Sequence, residues 1–276
     1  MDIVSNDRLT PIHLAAWFGI LDLVQKLIVK YDQHHLIKTK EGRTPIHFAA
    51  SNGHSAVVEF LAILFDEFDP NGMDNHGITP VQYASESGYS NVIEIFASLP
   101  DPIYGNDSPI SLDEISGAMI MAAMNGHKNV LEILAPLTDD PDADADGGNT
   151  PLYYAVTNGD LDMVKFLAPL SHHPNSEGDD GYPMNIAAMR GHLEIVKYFA
   201  GLKDSKDFIN VVDSQDGDTP LHSAAEYGHL DILKFLLPLS ENPNHRNKIG
   251  ETPIDTARKK QHENVVKFLE NYYKEQ

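Results

Sequence analysis

The sequence predicts an all-α fold: stacked helix-loop-helix units joined by short hairpin turns. Two observations predict it. The first is a phrase that recurs along the chain. Thr10-Pro11-Ile12-His13-Leu14-Ala15-Ala16 returns as Thr44-Pro45-Ile46-His47-Phe48-Ala49-Ala50 and as Thr219-Pro220-Leu221-His222-Ser223-Ala224-Ala225. Looser copies begin at Thr79, Thr150 and Thr252, and degraded ones at Tyr182 and Gly117. The spacing is 32 to 38 residues, the signature of a chain that folds as a row of similar units.

The second observation is a set of apolar columns. Eight residues beyond the motif alanine stand Leu23, Val57, Val92, Val130, Met163, Ile195, Ile232 and Val265. Nine beyond stand Val24, Val58, Ile93, Leu131, Val164, Val196, Leu233 and Val266. Twelve beyond stand Leu27, Leu61, Phe96, Leu134, Leu167, Phe199, Leu236 and Leu269. Spacings of one and four residues put the three columns on one helical face, so they read as core.

Each element of the unit has a local cause. Thr44 suits an N-cap, and Pro45 suits the first helical position, where its missing N–H is no loss. The paired Ala49 and Ala50 let a second helix approach closely. Gly53 ends the first helix. The second helix carries Val57, Val58 and Leu61. Polar turns rich in Asp and Gly join the units, among them Asp74-Asn75-His76-Gly77 and Ser214-Gln215-Asp216-Gly217. Such a unit cannot bury both its faces alone and has to stack.

These residues make the chain resemble the ankyrin-repeat family. The phrase, the Gly-His that follows it (Gly53-His54, Gly126-His127, Gly191-His192, Gly228-His229) and the columns carry the resemblance over residues 5 to 274. It implies one ankyrin-repeat solenoid over residues 1–276, with about eight repeats starting near 8, 42, 77, 115, 148, 180, 217 and 250. It also implies partner binding on the concave side, by hairpin fingers and first helices. Departures from the family pattern are visible. Proline follows the second helix in Ala135-Pro136, Ala168-Pro169 and Leu237-Pro238, which predicts that the helix stops there. Residues 100–116 read as an irregular insert, the finger before Thr219 is long, and residues 250–274 read as a C-terminal cap.

Composition narrows the function. The net charge is −21, and residues 101–185 hold 15 acids against 2 bases, so nucleic acid is not an expected partner. No apolar run is long enough to span a bilayer. No cysteine is present, which removes thiol chemistry and fits a cytoplasmic or nuclear setting. A protein partner with a basic segment and a monomeric state are expected, with no cofactor.

Candidate chemistry is sparse. Asp142-x-Asp144-x-Asp146-Gly147 matches the first half of a calcium loop, but the twelfth position, which needs a bidentate carboxylate, is Tyr153. Asp142, Asp144 and Asp146 therefore read as a solvated acidic finger. His13, His47 and His222 recur because the phrase recurs, and the resemblance implies that they hydrogen-bond the turns. No nucleophile–base arrangement or phosphate loop stands out, so an enzyme is not expected.

The informative residues are those the fold does not dictate. Trp17, Phe18, Arg43, Met124, Asn149, Asn158, Met189, Arg190, Glu226 and Tyr227 fall on the expected concave side, and Trp, Tyr, Met and Arg dominate binding energy at interfaces. Asp146, Asp179, Asp180 and Asp218 would attract a basic segment. Trp17 and Phe18 read equally as a patch on an uncapped first repeat. The expected function is a non-catalytic protein-interaction module. A regulatory subunit that inhibits or recruits an enzyme, and a designed or purely structural scaffold, are the alternatives.

Overall fold

The computed structural model describes residues 7–31, 37–64, 71–99, 110–142, 149–178, 181–203 and 205–275. Regular structure among them is helical, apart from one isolated bridge between Gly178 and Gly181. The chain divides into two compact units, Met1–Ala143 and Asp144–Gln276.

The first unit holds four helix pairs: α1 (Pro11–Trp17) with α2 (Leu21–Tyr31), α3 (Pro45–Ser51) with α4 (Ser55–Ala62), α5 (Pro80–Ser87) with α6 (Ser90–Ser98), and α7 (Leu112–Met124) with α8 (Lys128–Leu134). First helices stack on first helices and second on second. The second unit repeats the plan. It pairs α9 (Pro151–Asn158) with α10 (Leu161–Leu167) and α11 (Pro183–Arg190) with α12 (Leu193–Ala200). A short α13 (Ser205–Ile209) follows. Then come α14 (Pro220–Glu226) with α15 (Leu230–Leu236), and α16 (Pro253–Lys259) with α17 (Glu263–Glu275).

The recurring phrase acts through its polar atoms. In Thr10, Thr44 and Thr219 the backbone N–H and the hydroxyl both donate to Nδ1 of the histidine three residues on, at 2.8–3.2 Å. The arrangement is a capping box with histidine in place of the usual Glu. In two of the three rings Nε2–H also reaches the next finger: His13 donates to the Ile37 carbonyl and His222 to that of Glu251, each at 3.0 Å. Elsewhere the third residue is Gln82 or Asp255, which closes the same box on Thr79 or Thr252.

A second set of rings ties neighbouring pairs. His54, His127, His192, His229 and His262 each donate Nε2–H to a carbonyl of the preceding pair: Trp17, Glu86, Thr157, Met189 and Glu226. The fingers are also linked through the main chain. Lys40 N–H donates to the Asp7 carbonyl, Asn75 N–H to Glu41, and Lys248 N–H to Asp216, at 2.8–3.0 Å.

The predicted columns are buried, with exceptions at the two ends. Val57, Val92, Met163, Ile232 and their column mates have essentially no exposed surface. Full burial of each such side chain contributes about 1.5–3 kcal/mol. Leu23 is 39% exposed, and Leu27 and Val266 are half-buried; they belong to the first helix pair of the first unit and the last of the second.

Two segments differ from the sequence reading. The irregular insert expected over residues 100–116 gives way at Ser111, which caps α7 through a Ser111–Glu114 capping box. Leu112–Ser116 are helix, and Gly117 sits mid-helix where the Gln82 side-chain amide lies against it. Residues 100–109 lie outside the described residues. The long finger before Thr219 holds α13, whose Phe208 stacks on Phe199 at 5.1 Å, both buried. The prolines act as expected. α8 and α15 end at Leu134 and Leu236, and each is followed by a single 3-10 turn that contains the proline.

Candidate functional site

The phrase that starts each first helix also places the fingers, and two side-chain assemblies lie at finger bases. In the first unit Asp74 is fully buried. Its Oδ1 accepts from the backbone N–H of His76 (2.8 Å) and Ile78 (3.1 Å), and its Oδ2 from the Tyr83 hydroxyl (2.9 Å). Arg43 Nε lies 3.5 Å from Oδ2, and the guanidinium stands over the Tyr83 ring at 5.0 Å. Burial pushes the Asp74 carboxyl up, but these donors outweigh it and hold it below the usual range. Burial and the bond to Asp74 push Tyr83 up to about 12. Burial drives His47 down to about 4, against the nearby Asp74 charge. The assembly braces the finger, so Arg43 is committed to internal contacts.

In the second unit a groove of about 190 Å³ opens between the last two fingers and the helices behind them. Its lining includes Asp216, Asp218, Glu226, Asn247, Ile249 and Glu251, together with Lys259 and Lys260. Lys260 pairs with Glu226 at 2.8 Å and Lys259 with Glu251 at 2.9 Å. Asp218 accepts from Asn247 Nδ2 at 2.8 Å. Burial pushes the Asp218 carboxyl up despite that bond. The same burial lowers His222. Ile249 is 69% exposed at the tip of its finger, and Tyr227 is half-exposed at the end of α14. A perturbed carboxyl in a groove with opposed charges is a recognisable binding feature.

The residues singled out from sequence are distributed as follows. Asp218 and Glu226 meet in this groove, and Asp216, Lys259 and Lys260 join them. Met124 is exposed at the end of α7, and Asn158 and Arg190 end α9 and α11 exposed. Asn149 and Met189 are half-buried. Trp17 leans on Phe48 with ring centroids 5.6 Å apart, while Phe18 is 67% exposed. Asp144, Asp146, Asp179 and Asp180 lie outside the described residues, while the Asp142 N–H donates to Asp140 Oδ1 at 3.1 Å. Tyr153 is buried within α9, where it cannot close a calcium loop. Sequence reasoning missed Asn247, Ile249 and Glu251. An apolar residue at a fingertip where other fingers carry Glu41, His76 or Asp216 was the available signal.

Among the described residues no helix is long and apolar enough to cross a membrane. A family model for ankyrin repeats (3 copies) matches residues 12–106, 103–178 and 184–275. Mouse Rabankyrin-5 is 40% identical over 57 residues, 21% of this chain and 5% of that protein. Human transient receptor potential cation channel subfamily A member 1 is 37% identical over 59 residues, again 21% and 5%. Human Rabankyrin-5 is 34% identical over 74 residues, 27% and 6%. The chain thus spans about a twentieth of the length of these relatives. Repeats of this family generally serve as non-catalytic protein-interaction modules. With that match running along nearly its whole length, the chain belongs to the ankyrin-repeat family.

Proposed function

We propose that this chain is a non-catalytic protein-interaction module that receives a basic segment of a partner protein on the finger side of its second unit. One observation carries the reading. The groove there brings four carboxylates together with two lysines, and both lysines are spent on Glu226 and Glu251. No ion pair to Asp216 or Asp218 is found among the described residues. A lysine or arginine of the partner would supply that charge, and Ile249 and Tyr227 offer apolar surface on either side.

The reading is tested with immobilised Lys/Arg-rich peptides and acidic ones of equal length. The chain should retain the basic peptides, less so as salt rises. Replacing Asp216 and Asp218 together by Lys should weaken retention by about tenfold or more and flatten its salt dependence. Equal retention of both peptide classes, or no effect of the double variant, would remove the proposed role of these carboxylates.

A further inference from the structure

The end of the first unit offers a surface of a different kind, independent of the acidic groove. Pro11, Leu14, Ala15, Phe18, Ile20 and Leu23 line an open groove of about 280 Å³ on the first helix pair. Leu14, Phe18, Ile20 and Leu23 are 39–67% exposed. The equivalent positions one pair later are covered: Phe48, which matches Leu14, is 5% exposed, and Val57, which matches Leu23, is 1% exposed. Contiguous exposed apolar surface of this kind marks an interaction site.

The details say what covers it. Position 20 matches His54, the ring that hooks the carbonyl of the preceding pair. Here it is Ile20, which cannot donate. The face therefore lacks the polar hook that joins one helix pair to the next, and it presents only apolar side chains. It also combines a projecting aromatic, Phe18, with a groove on the same patch. A two-fold contact needs that combination, because one surface must be both knob and hole.

Charge points the same way. The chain carries −21 overall, so most pairings of two copies bring like charges together. Residues 7–31 hold three bases (Arg8, Lys26, Lys30) against two acids (Asp7, Asp22), a local net of +1. Charges further away than roughly 10 Å are largely screened at ordinary salt. The first helix pair is thus a place where two copies meet without strong repulsion.

We propose that a second copy of this chain docks here, the two first helix pairs facing each other about a two-fold axis with each Phe18 entering the other's groove. It departs from the monomeric state expected at the outset. Sedimentation equilibrium of the full chain from about 1 to about 500 µM tests it, since a dimer follows mass action. The expected result is a monomer–dimer equilibrium. Phe18→Asp, and separately Leu14→Lys, should raise its dissociation constant tenfold or more, while Ile249→Asp in the other unit should leave it unchanged. Circular dichroism of each variant confirms folding, and Phe18 is exposed enough for its replacement to leave the core intact. A chain that stays monomeric over the whole range overturns the proposal. So does a dimer indifferent to both first-pair variants. A monomer whose Phe18→Asp variant loses a co-purifying protein would assign the face to a different partner, which equally overturns the second-copy reading.

Discussion

The imidazole of His54 occupies the space a side chain on Gly19 would need. A Cβ built on Gly19 would lie 2.5 Å from His54 Nδ1, and Gly19 has φ of +69°. The same relationship links Gly88 to His127, Gly159 to His192, Gly191 to His229 and Gly228 to His262, with Tyr89 taking the ring's place over Gly53. Glycine is therefore required twice over, by the left-handed backbone and by the ring.

The two requirements can be separated. Gly77 has φ of +76° and nothing within 4 Å of an added Cβ. Gly77→Ala should cost about 1–2 kcal/mol, the left-handed penalty alone. Gly19→Ala should cost clearly more, because His54 must also give up its place and its bond to the Trp17 carbonyl. Urea unfolding of both variants measures the difference, and equal losses would mean that the ring yields freely.

The opposite substitution should help at the far end. Gln261 stands where the other pairs have this glycine and holds φ of +65°. Gln261→Gly removes the left-handed penalty and adds back some unfolded-state entropy, for a net gain of about 0.5–1 kcal/mol. A raised melting temperature checks it.

Acid should loosen the first unit. Nδ1 of His47 accepts from Thr44, and burial holds the ring neutral down to about pH 4. In the unfolded chain the same ring protonates near 6.5, the ordinary value. Above that pH both states are neutral and the histidine contributes no pH dependence. As pH falls from about 6.5 to about 4 the unfolded state alone takes up the proton, so stability drops, by roughly 3 kcal/mol at most. Below that window both states are protonated and the loss stops growing. Unfolding free energies between pH 7 and 4 should show this slope, and His47→Gln, which keeps an acceptor for Thr44, should flatten it.

The Asp74 assembly should behave as one brace. Tyr83→Phe removes one donor to a carboxylate that retains its backbone donors, and should cost about 1.5–3 kcal/mol. Asp74→Ala leaves two backbone N–H groups and the Tyr83 hydroxyl without their acceptor and removes one of the two carboxylates beside Arg43, and should cost about 3 kcal/mol or more. The double variant should lose less than the sum. Strict additivity in a double-mutant cycle would deny the coupling.

Much of this fold can be read along the chain, because each cause acts within a few residues. A Thr-Pro start, a glycine three or four residues past the alanines and a proline after the second helix each act locally. The Ser111–Glu114 box was equally local and readable as Ser-x-x-Glu, but the prolines upstream of it suggested irregularity. The stack of Phe208 on Phe199 could not be read, since nothing in the spacing says that a long finger folds back onto the core. The groove was half legible. Asp218 and Glu226 were visible as unrepeated acids, while Asn247 and Glu251 join them only through finger contacts spanning about 30 residues.

The finger-to-finger bonds have an evolutionary corollary. They run from main-chain N–H to main-chain carbonyl, from Lys40 to Asp7, Asn75 to Glu41 and Lys248 to Asp216. Any residue but proline can make them. Outward side chains at the tips, such as Glu41, His76 and Ile249, can consequently vary while the main chain keeps the spacing between fingers, which lets such a scaffold acquire new specificities without re-solving its own folding.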